Sequence, residues 1–249
     1  MNKYILLDIE RINGRKNPLL ITFPFAGGNA HSYMPILRGI SNDIDILNIE
    51  LPGRGRRMGE DLLSSMSEII YDIWQNWISL LFFDKPFVLW GHSMGGFIAY
   101  NISLLLCREK SLIPRRLIIS GCPPPHSRDN QSIHMLDSDM LWDYLLSLGG
   151  VPPEIAECED IRFHAERYIR SDIKSYETTK SDFMKTDCIN THLILIQGKD
   201  DLTLDFRQND WKHLNLGTTE LVTMNGGHFC IFEDVQKMRE ILEQSFLDR

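Results

Sequence analysis

The chain has no long apolar run, no excess of basic charge and no closely paired cysteines, and each absence excludes a class of protein. No apolar stretch is long enough to span a membrane. Lysine and arginine number 26 against 34 aspartates and glutamates, for a net charge of −8, so a nucleic-acid partner is not expected. The five cysteines, Cys107, Cys122, Cys158, Cys188 and Cys230, are odd in number and scattered, with no C-x-x-C. That pattern argues against a disulfide framework and a zinc site, and for reduced thiols in the cytoplasm. Met1 to Arg15 is charged and lacks the apolar core of a signal peptide. Internal repeats and low-complexity tracts are also missing.

What is present is an ordinary globular composition, 43% hydrophobic and 24% charged over 249 residues, enough for one large core. Short apolar segments alternate with helical periodicity. Strands are expected at Tyr4–Ile9, Leu19–Phe23, Ile44–Ile49, Phe87–Trp90 and Leu117–Ser120. Between them, Ser32–Ile40 is expected to be helical. Met66, Ile69, Ile70, Ile73, Trp74 and Trp77 recur at i, i+3, i+4 and mark an amphipathic helix packed on a sheet. Continuous apolar strands alternating with helices predict a parallel sheet covered on both faces.

The alternation then stops. From Gly121 to about Asp187 the pattern is helical throughout, opened by Pro123-Pro124-Pro125. Asp137 or Ser138 suits the N-cap of a helix over Met140–Leu148, and a longer helix is expected over Asp160–Lys174. An all-helical insertion of this size, about 123–187, reads as a lid within a single domain spanning 1–249. The remaining expectations are a strand at His192–Gln197, a helix near Leu204–His213, a strand at Thr219–Met224 and a C-terminal helix over Glu233–Phe246.

Chemistry concentrates at Gly91-His92-Ser93-Met94-Gly95-Gly96, between an apolar strand and an apolar helix. Gly-x-Ser-x-Gly in that setting is a nucleophile elbow. A side chain at Gly91 or Gly95 would collide as strand and helix fold back on each other. The turn presents the Ser93 hydroxyl and sets the Met94 N–H at a helix N-terminus, where it can donate to an oxyanion. A serine needs a base, and the base an orienting acid. His228, in the loop after Thr219–Met224, suits the base; His213 lies in a polar segment, and His92 is expected to point away from Ser93 and pack. In the loop Gly198-Lys199-Asp200-Asp201, either aspartate qualifies as the acid. A second oxyanion donor is expected from the Ala26 N–H, in the loop Pro24-Phe25-Ala26-Gly27-Gly28. Cys230 is a rival nucleophile near His228, but no elbow presents it, and a free cysteine more often packs as a small hydrophobe.

Taken together, these segments resemble the type II thioesterases that accompany nonribosomal peptide and polyketide synthases. The resemblance runs through Phe23–Gly28 with Ser32-Tyr33, Leu51-Pro52-Gly53-Arg54 with Arg57, the elbow, Ser120-Gly121 with the three prolines, Arg170-Ser171-Asp172 with Tyr176-Glu177, and Gly226-Gly227-His228-Phe229. It implies an α/β-hydrolase fold with a helical lid and a Ser93–His228–Asp201 triad, the acid being counted from Gly198. The family's usual Gly-Asp-x-Asp and following proline are replaced here by Gly198-Lys199-Asp200-Asp201-Leu202. The implied activity is hydrolysis of acyl thioesters from the phosphopantetheine arms of carrier proteins, with no metal or cofactor, by a monomer. Arg54, Arg56 and Arg57, in a loop leaving a strand end, are candidate contacts for the anionic carrier or its arm, against the alternative that they tie the loop to neighbouring carboxylates. A small-molecule carboxylesterase of the same fold is the rival enzyme reading. A non-catalytic binding protein on this scaffold is the rival of another class.

Overall fold

The computed structural model describes residues 9–127, 132–179, 188–204 and 207–247. They form a six-stranded, all-parallel sheet in the order β2-β1-β3-β4-β5-β6. The strands are β1 Leu19–Phe23, β2 Asp45–Asn48, β3 Phe87–His92, β4 Arg116–Ser120, β5 His192–Gly198 and β6 Thr219–Met224. The helices are α1 Ile9–Asn13, α2 Met34–Leu37, α3 Met66–Asn76, α4 Met94–Lys110, α5 Ser138–Ser147, α6 Pro153–Ala156, α7 Glu159–Glu177, α8 Cys230–Glu233 and α9 Val235–Leu247.

Strand side chains alternate between the two faces of the sheet, so each apolar run feeds two cores. Leu19, Ile21, Leu89, Leu117, Ile119 and Leu195 pack on one face against Ile69, Ile70 and Ile73 of α3 and Phe97, Ile98 and Ile102 of α4. Leu20, Val88, Trp90, Ile118 and Ile196 pack on the other face against Ile36 and Leu37 of α2 and Met238 and Leu242 of α9. A capping box at Ser65 and Glu68 starts α3, and the Asp137 carboxylate accepts the Met140 N–H to start α5. The inserted helices α5 and α7 form a third, separate cluster around Leu141, Trp142, Ala165, Ile169 and Ile173.

Several boundaries differ from those the sequence suggests. Residues 4–8 of the first expected strand, Tyr4–Ile9, lie outside the described residues, and Ile9 opens α1 instead. The helix expected over Ser32–Ile40 shrinks to α2, because Asn29 and Ser32 turn the chain before it: the Asn29 N–H donates to Ser32 Oγ and the His31 N–H to Asn29 Oδ1. The helix expected near Leu204–His213 is a 3-10 run over Arg207–Leu214. Trp211 is the one large apolar residue between Arg207 and His213, so no stripe holds an α-helix to the core. The C-terminal helix is broken at Asp234, whose Oδ1 accepts the Lys237 N–H and starts α9. Among the described residues, no helix is long and apolar enough to cross a membrane.

Candidate active site

The loops leaving β1, β3, β5 and β6 gather at the carboxyl edge of the sheet, beside the reversal of strand order between β1 and β3. The nucleophile elbow occupies that switch point. Ser93 has φ 54° and ψ −123°, a conformation that a residue with a Cβ holds only under constraint from its surroundings. Those surroundings are close. A Cβ on Gly91 would stand 2.0 Å from the Gly95 carbonyl oxygen, and one on Gly95 2.2 Å from that of Phe23. The Ser93 N–H donates to the Ser120 carbonyl at 2.8 Å, anchoring the turn to β4. Tyr33 anchors it to β1, with its hydroxyl donating to the Phe23 carbonyl at 2.9 Å and accepting the His92 N–H at 3.2 Å. Met94 is the first residue of α4, a position whose N–H has no partner within the helix.

After β1 the chain makes a turn closed by the Gly28 N–H donating to the Phe25 carbonyl at 2.8 Å. Gly27 takes φ +79° at its third residue, the position that requires glycine in such a turn. Ala26, Ser93, Met94 and His228 all line one cavity of about 720 Å³. Trp142, Tyr144, Ile169 and Ile173 of the inserted helices line its other side, with Phe25 and Phe229.

The candidate acid and base come from adjacent loops. The two loops are zipped together, with the Asp200 N–H donating to the Gly226 carbonyl at 2.9 Å, and a Cβ on Gly198 would stand 2.1 Å from the Gly227 carbonyl oxygen. His228 is buried, and its Nδ1 lies 3.0 Å from Asp201 Oδ2. A proton on Nδ1 shared with that carboxylate leaves Nε2 as the basic nitrogen. Asp201 is buried, whereas Asp200 is exposed, so the structure brings Asp201 to the histidine. Burial alone would raise the Asp201 carboxyl, but the hydrogen bond and charge of His228 and the hydrogen bonds from Thr203 outweigh it and hold it below the ordinary aspartate range.

Thr203 is the participant that the sequence pattern did not bring out. Its backbone N–H donates to Asp201 Oδ1 at 2.9 Å, and its hydroxyl donates to the same oxygen at 2.6 Å. An aspartate followed two residues later by such an N–H is an Asx turn, and Asp201-Leu202-Thr203 carries that signal. His92 is fully buried, with its ring centroid 4.9 Å from that of His228 and 4.8 Å from that of Phe229. Burial, and then the charge of His228, hold its imidazole well below the ordinary histidine range. Cys230 is buried, and its thiol is pushed up to about 12 by burial and by the charges of Asp201 and Glu233, which leaves it no thiolate at neutral pH. His213 is exposed.

The basic loop divides. Arg54 is not the surface contact expected of it: it is 3% exposed, and its Nη2 donates to Asp172 Oδ1 at 2.7 Å. Arg57 is likewise committed, to Asp72 and Glu60. The sequence offers both carboxylates, but the pairings form only in the fold. Arg56 is exposed. Among the described residues, no group of three or more His, Cys, Asp or Glu side chains is arranged to hold a metal ion.

A family model described as a thioesterase domain matches residues 18–246. The chain is 30% identical over 236 residues to the medium-chain S-acyl fatty acid synthase thioesterase of Anas platyrhynchos, covering 94% of this chain and 92% of that protein. It is 22% identical over 236 residues to the gramicidin S biosynthesis protein GrsT of Aneurinibacillus migulanus, covering 93% and 90%. Among solved structures, the type II thioesterase BorB from the borrelidin biosynthetic cluster superposes with a TM-score of 0.83 at 25% identity, covering 92% of each chain. The chain therefore belongs to the thioesterase family, as a type II enzyme of α/β-hydrolase fold.

Proposed function

We propose that the protein releases acyl groups held as thioesters on the phosphopantetheine arms of carrier proteins, as an editing enzyme beside a nonribosomal peptide or polyketide synthase. The observation that carries this reading is the single cavity shared by Ser93, His228, Ala26 and Met94, with Asp201 behind the histidine. Ser93 Oγ attacks the thioester carbonyl while His228 Nε2 takes its proton. The Ala26 and Met94 N–H groups stabilise the oxyanion. The tetrahedral intermediate collapses, the carbon–sulfur bond breaks, and His228 returns the proton to the departing pantetheine sulfur. Water, deprotonated by His228, then cleaves the acyl-Ser93 ester and restores the serine.

Relatives named for fatty acid synthase and for gramicidin S biosynthesis support a carrier-borne substrate. The apolar wall formed by Phe25, Trp142, Ile169 and Phe229 suits an acyl chain. Such a wall separates neighbouring chain lengths by only about 1–3 kcal/mol per methylene, so tolerance of acyl identity should be broad. The inserted helices α5, α6 and α7 act as the lid of a single domain, and cysteines that form no disulfide among the described residues fit a cytoplasmic enzyme.

The test presents one acyl group on a carrier protein, on coenzyme A, on N-acetylcysteamine and as an ethyl ester. The carrier thioester should give the highest kcat/KM, because binding of the carrier body lowers the barrier at Ser93. Ethyl ester turnover equal to or above that of the carrier thioester would overturn the editing reading.

A further inference from the structure

Helix α7 of the inserted region grips the turn that carries the Ala26 N–H, through three neighbouring positions on one face. Asp172 Oδ2 accepts the Gly27 N–H at 2.8 Å. Ile169, one turn earlier, fills the space at Gly27: a Cβ there would stand 2.6 Å from Ile169 Cγ1. Tyr168 lies under the Arg54 guanidinium, 4.8 Å from its ring centroid. Arg54 closes the assembly, donating through Nη2 to Asp172 Oδ1 at 2.7 Å and through Nη1 to the Gly28 carbonyl at 3.2 Å. Positions 168, 169 and 172 share a helix face, so one helix displacement moves all three contacts together. On the sheet side the same loop is held independently, by the Ala30 N–H donating to the buried Glu50 carboxylate at 3.0 Å.

Asp172 and Arg54 are each 3% exposed. A buried ion pair is seldom the most stable filling of its volume, since apolar residues of similar size often do as well or better. What this pair supplies is direction. It fixes Gly27 and Gly28, the two residues after the oxyanion donor, from an element that is not part of the sheet. We propose that Asp172 is a positioning residue: through Gly27 and Arg54 it couples α7 to the Ala26 turn, so that the oxyanion site reaches its working geometry only while α7 is seated. The inference rests on Ala26 being an oxyanion donor.

A misplacement of about 1 Å at a reacting centre costs on the order of a hundredfold in rate. The decisive variant is Arg54→Met with Asp172→Leu, which removes both charges and leaves neither buried alone. It should fold with a Tm close to that of the parent, keep KM within about twofold and lose kcat by roughly 30- to 100-fold. Its affinity for a trifluoromethyl ketone thioether, which forms a tetrahedral oxyanion on Ser93, should fall by a similar factor. Asp172→Asn, which keeps an oxygen for the Gly27 N–H, should retain more kcat than Asp172→Ala at a temperature where both are folded. A folded double variant with parental kcat and analogue affinity, or one whose KM alone changes, overturns the coupling. Ala26→Pro, which removes the N–H itself, separates the two ideas. If it destroys turnover while the double variant does not, the coupling fails and the donor assignment stands. Unchanged turnover in Ala26→Pro removes the donor assignment and the coupling with it.

Discussion

The hydroxyl of Thr203 lies 3.0 Å from Nδ1 of His228, as close as the Asp201 carboxylate on the same nitrogen. The imidazole N–H is therefore shared between two acceptors, while the threonine proton is committed to Asp201 Oδ1. Thr203→Val removes the shared acceptor and one donor to the acid but keeps the backbone N–H that also holds Asp201. A lost hydrogen bond of this kind is worth about 1 kcal/mol, so kcat/KM should fall by roughly five- to tenfold. Thr203→Ser should recover most of it. Equal activity of the valine variant, measured by thiol release, would show that Asp201 alone orients the ring.

The proposed triad has a sharper signature. Ser93→Ala and His228→Ala should each lower kcat by about a thousandfold or more, and the double variant should be little worse, because the residues act as one unit. Asp201→Asn should also be severely impaired, while Asp200→Asn, at an exposed position, should stay within about twofold of the parent. The reverse order for the two aspartates would move the acid to Asp200.

Much of this site was readable because its parts are local. Gly91 and Gly95 are needed for backbone approach within a few residues of Ser93, and a strand running into a helix is visible in the same window. The central strands β1, β3 and β4 were readable for the same reason: buried on both faces, they appear as apolar runs. The roles of Arg54 and Asp172 were not readable in this way. They stand 118 residues apart, and nothing near either one shows that it will be buried and paired. Composition suggested a basic docking loop, but folding turned two of its three arginines inward. The break at Asp234 was hidden too, since a capping aspartate inside an apolar periodic stretch looks like one exposed position of a continuous helix.

His92 gives a pH dependence of stability that is separate from catalysis. Its folded pKa is held well below the ordinary 6.5, so below that pH the unfolded chain binds a proton that the folded chain refuses. Stability attributable to this residue is therefore lost as pH falls through about 6.5, with a limiting slope of about 1.4 kcal/mol per pH unit. His92→Phe keeps a ring against Phe25 and Phe229, and Ser120 retains Trp90 Nε1 as a donor. Urea unfolding at about pH 7 and about pH 5 should show a smaller loss in the phenylalanine variant than in the parent. Parallel losses would mean that His92 takes up its proton without unfolding.

Arg56 is the one arginine of its loop left exposed: its backbone N–H donates to the buried Glu50 carboxylate, and among the described residues no carboxylate engages its side chain. If it meets the acidic carrier, Arg56→Glu should raise KM for an acyl-carrier by about fivefold, a contact worth about 1 kcal/mol, and the effect should shrink in high salt. KM for a short free thioester should not change. Equal shifts for both substrates would remove Arg56 from the docking surface.

The inserted helices should open as a unit over Ser93. Their apolar side chains form a cluster distinct from the two cores that flank the sheet. Leu141, Trp142, Ala165, Ile169 and Ile173 can therefore stay packed on one another while the group lifts away. Such a motion draws Tyr176 of α7 away from Phe97 of α4, and it must break the hydrogen bond between Gly27 and Asp172 and the pairing of Asp172 with Arg54. Local openings of this kind cost less than global unfolding. Amide hydrogens of α5 and α7 should accordingly exchange faster than those of α4, which is buried along most of its length against β3 and β4. Phosphonylation of Ser93 by a long-chain fluorophosphonate that fills the cavity should slow exchange in α5 and α7 and leave α4 unchanged. Protection that is uniform across α4, α5 and α7, with and without the probe, would mean that the insertion is a fixed wall and that substrate enters by another route.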